Sequence, residues 1–462
     1  MKVGEEYMLV ECRDAPNAGK GLFATHSIPP NATLFIIPAT AMMNSRTLSA
    51  TYPPLQGQYL SPTQVISLHL LLHKPHDGGE SHDSRFGSYI STLPRDFDSH
   101  PLTWSVNKHL QTNSNPKAQE LLGHLPPSVS SSLQALTARF WEDWDAVRKY
   151  VTALPMICDS SSRQDIDVDR FRLGDSALTT DYVWAWLNVN TRCIYYRLDP
   201  SVSSPLNMTL CPILDFANHA PTATHIKPVL PLDSELWAAP TGPRKHTKRL
   251  GGDYAFTSNC ETTIPPDTEL FLRYGSHPNR KLFVEYGFTN TWHEGDLQRG
   301  RCDGEVDVQD IVEEHFKAKG PIADTMRRIL DEEGYWGDWT MHASPPAHPS
   351  YRLITALRLL HCKDDDVQHD RVGHWKAVVL GEQAIISQEH EQAWRNTLLK
   401  ICETLIERAN SNIVGLNERT LRPEHGLPDW YEWMLGNVRR LWLEELEVAS
   451  CVAQSVQSGV EF

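Results

Sequence analysis

The chain has 462 residues, 22% of them charged, with a formal net charge of −15. That length exceeds the range over which one hydrophobic core keeps growing, so two domains are expected; a 40% hydrophobic fraction excludes a mostly disordered chain, and the acidic balance argues against a nucleic-acid partner. Apolar runs fall short of membrane-spanning length and Met1-Lys2-Val3-Gly4-Glu5-Glu6 lacks a signal-peptide layout, so a protein of the cytoplasm and/or nucleus, without a membrane partner, is expected.

The first 40 residues read as short strands. Tyr7–Cys12 is apolar-rich, Asp14–Lys20 is a turn signal, and Gly21–Thr25 resumes. Thr33–Ile37 is a further strand, stopped by Pro38. From Ser61 the pattern turns helical: Ser61-Pro62 is a cap with proline in the first turn, and Val65, Ile66, Leu68, His69, Leu70 and Leu72 form an apolar stripe. Helical patterns continue at Ala118–Leu122, Val129–Ala153 and Thr180–Cys193, with polar interruptions at His76–Arg85 and Ser160–Asp169. Strand character returns at Thr209–Phe216, Tyr254–Thr257 and Glu269–Tyr274. Beyond residue 300 the apolar spacing is helical: Val308–Glu333, Tyr351–Cys362, His374–Ala409 and Trp430–Val456. The expected architecture is α+β: a β-fold over residues 1–300, interrupted by a helical insertion over about 60–190, then an all-α domain over 301–462.

Nine cysteines, none at C-x-x-C spacing, argue against disulfides and zinc clusters, and no metal site is expected. Arg244–Arg249 is a basic run, read as a solvated loop before a nuclear-import signal.

Three segments could carry chemistry. Asn17-Ala18-Gly19-Lys20-Gly21 could let a backbone approach a ligand closely, although a strand turn needs the same glycines. Asp215-Phe216-Ala217-Asn218-His219 ends an apolar run in three polar residues, with no H-x-x-x-H spacing beside it. Two Tyr-Gly pairs, Tyr274-Gly275 and Tyr286-Gly287, stand twelve positions apart around Pro278-Asn279, a duplication that packing alone explains poorly.

Together with Tyr89-Ile90-Ser91-Thr92-Leu93-Pro94, Pro101-Leu102-Thr103-Trp104 and Asn190-Thr191-Arg192-Cys193, this set resembles the SET-domain protein methyltransferases, in particular the class of plant Rubisco large-subunit lysine methyltransferase. The resemblance spans about 290 residues. It implies curled β-sheets split by a helical insertion and a helical C-terminal substrate-binding domain, with S-adenosylmethionine as cofactor. It also implies residue roles. The backbone of Ala18, Gly19 and Lys20, with Arg192, Asn218, His219, Tyr286 and Phe288, would bind the cofactor. Arg192, Tyr196, Asp215, Phe256 and Tyr274 would meet the incoming side chain, and Tyr274 would be catalytic. Tyr196 replaces a basic residue of the Rubisco enzyme, and the stretch from His219 to Tyr254 is longer than usual, so the substrate groove is expected to differ.

Such chemistry needs a neutral acceptor aligned with the methyl group. A lysine of pKa ~10.4 must lose its proton first, and burial beside a sulfonium favours that loss. A tyrosine with an ordinary pKa near ~10 orients rather than deprotonates. The expected partner is therefore a protein presenting a lysine, with histidine as the second choice, and the expected state is a monomer. The reading from another class is a SET-fold binding module without activity. Retention of Asn218, His219 and Tyr274 together speaks against it.

Overall fold

The computed structural model describes residues 8–16, 18–55, 59–76, 79–112, 115–153, 168–222, 224–229, 251–293, 295–297, 299–300, 303–369, 372–420 and 426–462. The basic run Arg244–Arg249 and most of the Ser160–Asp169 interruption lie outside them. Two compact units are formed, residues 1–114 with 136–276 and residues 115–135 with 277–462. The second begins at His277, earlier than the expected boundary, and takes residues 115–135 from the insertion.

In the first unit, β1 (Val10–Ala15) and β2 (Gly19–Ala24) form an antiparallel hairpin with Ala15 opposite Gly19. β3 (Thr33–Ile37) follows as expected. The insertion opens with α1 (Ser45–Leu48) and α2 (Pro62–Leu72). The Ser61 hydroxyl accepts from the Gln64 amide while the Gln64 side chain accepts from the Ser61 amide, so the cap read from Ser61-Pro62 is a full capping box. Then come α3 (Gly87–Ile90), α4 (Pro101–Leu110), α5 (Pro116–Gly123), α6 (Pro127–Ala153), α7 (Val168–Leu173) and α8 (Ser176–Arg192), of which α5 and the first residues of α6 belong to the second unit. Helix α8 packs against α2, and its buried Tyr182 stacks on Trp144 at 4.5 Å.

β4 (Cys193–Tyr195) pairs with β5 (Met208–Leu210). β6 (Ile226–Pro228), β7 (Tyr254–Ser258) and β3 form one antiparallel sheet with β7 in the centre. Two expected strands differ. The run Thr209–Phe216 stops at Leu210, because Pro212 has no amide to donate and Ile213 takes φ +73°; a 3₁₀ turn, Leu214–Phe216, follows. The run Glu269–Tyr274 is extended but joins no continuous ladder. The Leu270 amide donates to the Leu22 carbonyl, and the Leu272 amide donates to the Asn218 carbonyl. The segment therefore lies between β2 and residues 218–220, and meets the latter in parallel at His219–Leu272.

In the second unit, α9 (Asn279–Tyr286) ends at Gly287, whose φ of +83° gives a left-handed cap. Beyond it the unit is helical with one small sheet: β8 (Glu305–Asp307), α10 (Gln309–Lys317), α11 (Ile322–Glu332), β9 (Thr340–His342), β10 (His348–Pro349), α12 (Tyr351–Leu360), α13 (Asp364–Gln368), α14 (Gly373–Val379), α15 (Gln388–Thr420) and α16 (Tyr431–Gln457). The pattern over Val308–Glu333 is broken at Gly320-Pro321, and that over His374–Ala409 at Gly381, both glycines at positive φ. The core gathers Trp339, Leu353, Leu357, Trp375, Trp394, Ile401 and Val452. Inside it Arg358 makes two 3.0 Å bonds to the Glu391 carboxylate, which also accepts from the Trp394 indole at 2.8 Å.

Candidate active site

The β1–β2 turn is joined to the Asn218 segment and to Glu269. Gly19 holds φ +73°, a conformation most side chains resist, and Gly21 approaches so closely that an added Cβ would lie 2.7 Å from Glu269 Oε1. Ala18 and Lys20 are exposed in this turn, with the Lys20 ammonium 2.6 Å from Asp14. The Asn218 side-chain amide donates to the Lys20 carbonyl at 3.1 Å and to Glu269 Oε1 at 2.7 Å. It thus fastens the turn to the chain leading into Tyr274. Glu269 has no role in the sequence reading, since a lone glutamate on an extended run carries no signal.

Tyr274 is fixed at both ends. Its main-chain amide donates to His219 Nδ1 at 3.1 Å, which places the imidazole proton on Nε2, and its hydroxyl donates to the Ala217 carbonyl at 3.0 Å. The two rings lie 5.2 Å apart. A hydroxyl has one proton. With that proton on Ala217, the oxygen's remaining capacity is that of an acceptor.

Behind this pair lies a buried ion pair. Arg192 Nη1 reaches the Asp215 main-chain oxygen at 3.0 Å and its Oδ2 at 3.1 Å, and the Tyr89 hydroxyl donates to the same Oδ2 at 2.9 Å. The Asp215 side chain has 0% exposure. Burial raises its pKa, opposed by Arg192 and the Tyr89 bond, and burial also raises Tyr89 well above the ordinary phenol. Asp215 Oδ1 and Arg192 Nε are buried without hydrogen-bond partners among the described residues. The thiols of Cys12, Cys193 and Cys211 share this electrostatic neighbourhood, and burial raises the pKa of all three.

Residues 319–447 match the family model described as Rubisco LSMT substrate-binding. Over 457 residues the chain is 24% identical to SET domain-containing protein 4 of Homo sapiens, covering 96% of this chain and 86% of the relative. It is also 24% identical over 347 residues to ribosomal lysine N-methyltransferase set11 of Schizosaccharomyces pombe, covering 75% and 68%. Among solved structures it resembles Rubisco LSMT bound to sinefungin and monomethyllysine, with TM-score 0.54 and 15% identity over 98% of this chain and 88% of that one. Rubisco LSMT bound to AdoMet gives TM-score 0.51 at 16% identity, covering 98% and 88%. The chain is therefore similar to SET-domain proteins of the Rubisco LSMT class and shares their fold.

Within this SET fold two residues read as substrate contacts stand in the core. Phe256 is 2% exposed on the central strand β7, with rings of Tyr254 and Phe35 at 4.5 and 5.1 Å. Tyr196 is 6% exposed, and its hydroxyl donates to the Gly252 carbonyl; burial pushes its pKa up to about 12. Asp215, likewise enclosed, acts through Arg192 and Tyr89. Tyr286 and Phe288 belong to the second unit, where Tyr286 lies between His277 at 6.2 Å and Phe288 at 6.1 Å, half-buried, with its pKa raised by burial.

The donors fit a cofactor with a methionine end. The glycine turn leaves Ala18 and Lys20 exposed, Asn218 holds that turn in place, and Arg192 and Asp215 carry buried polar atoms still lacking partners among the described residues. Of the residues expected at the cofactor, Asn218 is joined to Lys20, His219 to the Tyr274 amide and Arg192 to Asp215.

Proposed function

We propose that this chain is an S-adenosylmethionine-dependent protein-lysine N-methyltransferase acting on a non-histone protein. One observation carries the reading: Tyr274 is held by His219 at its amide and by Ala217 at its hydroxyl, beside the turn fastened by Asn218. When bound, S-adenosylmethionine supplies an electrophilic methyl group on a sulfonium.

Ala18, Gly19 and Lys20 would hold the cofactor's methionine end through backbone groups, with Arg192, Asn218 and His219 completing the pocket. The Tyr274 oxygen, its proton committed to Ala217, would accept a hydrogen bond from the acceptor amine and orient its lone pair. As a neutral phenol it orients the amine rather than removing its proton. Deprotonation of the lysine is favoured instead by desolvation and by the like charge of the cofactor. Residues 319–447, which match the Rubisco LSMT substrate-binding model, would grip the protein substrate, and the whole-chain charge of −15 suits a basic segment. Action as a monomer in the cytoplasm and/or nucleus, without nucleic-acid or membrane partners, completes the proposal; no helix among the described residues is long and apolar enough to cross a membrane.

Calorimetric titration with S-adenosylmethionine tests the cofactor, and absence of binding heat would end the enzyme reading in favour of a binding module. Incubation of cell extract with labelled cofactor, followed by mass mapping of the labelled site, tests the acceptor. Label on lysine is expected; label on histidine would assign the second reading on the same scaffold.

A further inference from the structure

Away from the methyl-transfer residues, helix α2 and its C-terminal cap carry His69 and His73 four positions apart, hence on one face, and Asp83 comes to that face from the following loop. His69 Nε2 lies 3.5 Å from Asp83 Oδ2, and His73 Nε2 lies 3.7 Å from the same oxygen. These separations exceed good hydrogen bonds. Neighbouring ligand atoms around a tetrahedral ion stand about 3.3–3.6 Å apart for bonds of about 2.0–2.2 Å, so the His69 separation fits and the His73 separation is slightly longer. One potential ligand atom from each residue falls within 4.8 Å of the others.

The cluster is built rather than superficial. His69 is 2% exposed, and its Nε2 is buried without a hydrogen-bond partner among the described residues. A buried imidazole nitrogen without a partner costs free energy, and a metal ion would satisfy it. The other His69 nitrogen, Nδ1, lies 3.0 Å from the Tyr52 hydroxyl, the orienting contact that metal-bound histidines use. Asp83 Oδ1 accepts from the Arg85 amide at 2.9 Å and from the Phe86 amide, which leaves Oδ2 facing the imidazoles. The Arg85 guanidinium is engaged elsewhere, by the Thr40 and Thr47 carbonyls.

We propose that His69, His73 and Asp83 form a site for a divalent transition metal, zinc(II) by ligand type, with a fourth position open to water. Its effect reaches the ion pair behind Tyr274 through the chain itself. The Gly87 amide donates to the Asp83 carbonyl, α3 follows at once, and α3 carries Tyr89, whose hydroxyl holds Asp215. A metal at Asp83 would therefore staple α3 to α2 and fix Tyr89 from behind. Metal binding here is independent of methyl transfer.

Full-length protein stripped with a chelator is titrated with cobalt(II), then with zinc(II). One equivalent of cobalt with the visible bands of a tetrahedral site, displaced by zinc, is expected, together with a rise of about 5 °C in Tm at zinc near 100 times its Kd. His73→Gln and Asp83→Asn should each abolish the cobalt spectrum, while His82→Gln at the exposed neighbour should preserve it. Wild-type protein that takes up no cobalt overturns the proposal without recourse to a variant. So does uptake that survives both His73→Gln and Asp83→Asn, because the ion would then lie elsewhere.

Discussion

The Tyr274 hydroxyl donates to the Ala217 carbonyl oxygen across 3.0 Å, so the proton of the central tyrosine is spent inside the protein. That bond separates orientation from base catalysis. Tyr274→Phe should leave S-adenosylmethionine affinity within about twofold by calorimetry and lower turnover by about 10²–10³-fold, the usual effect of losing one preorganised polar group. Equal loss of affinity and turnover would instead make Tyr274 a structural residue.

Asn218 reaches two acceptors through its side-chain amide nitrogen. Asn218→Asp places a carboxylate against Glu269 at a position where an amide stood 2.7 Å away. Repulsion should displace the glycine turn and weaken cofactor binding about 10-fold or more by calorimetry. Asn218→Asp combined with Glu269→Gln should recover part of that loss, because an amide then faces a carboxylate across this contact once more, with donor and acceptor exchanged.

Removing Asp215 should be severe for stability. Asp215→Ala leaves the Arg192 guanidinium, at 19% side-chain exposure, without its counter-ion, a change that costs about 3–5 kcal/mol in comparable buried pairs. Tyr89→Phe removes only one donor, at about 1–3 kcal/mol. Urea melts of the three proteins should rank wild type, then Tyr89→Phe, then Asp215→Ala.

In the second unit, burial pushes both Glu444 and Glu445 up to about 8 from the ordinary 4.5. Neither Glu445 oxygen has a hydrogen-bond partner among the described residues, and Arg408 stands 3.7 Å away. Between pH 4.5 and 8 the folded state holds protons that the unfolded state has released, so stability falls as pH rises through that window and levels off above it. Glu444→Gln with Glu445→Gln should flatten the decline and add about 1–3 kcal/mol at pH 8. Melts at pH 5.5 and 8.5 check this, and equal slopes for both proteins would count against it.

Much of the site was legible because its signals are local. Gly19 and Gly21 read as a close turn, Asn218-His219 as a polar end to an apolar run, and Tyr274-Gly275 as one of a pair. Glu269 and Ala217 were not legible. One is a lone acid on an extended run and the other acts through its carbonyl, so neither side chain announces its partner. His69 reads only as a member of the apolar stripe of α2 and no metal site is expected; Asp83 lies beyond the end of α2 and is set beside His69 and His73 only by folding.

Periodicity, caps and glycines by themselves determined the helical insertion, the start of α2 at Ser61-Pro62 and the helical character after residue 300. They act over a few residues, which is why they can be read without knowing the rest. Tertiary structure alone decided that residues 269–274 run between β2 and the Asn218 segment, and that Phe256 and Tyr196 are packed in the core. It also decided that Asp215 faces Arg192 and Tyr89. Those outcomes depend on contacts between residues far apart in the chain, whose energies arise only once the elements have met.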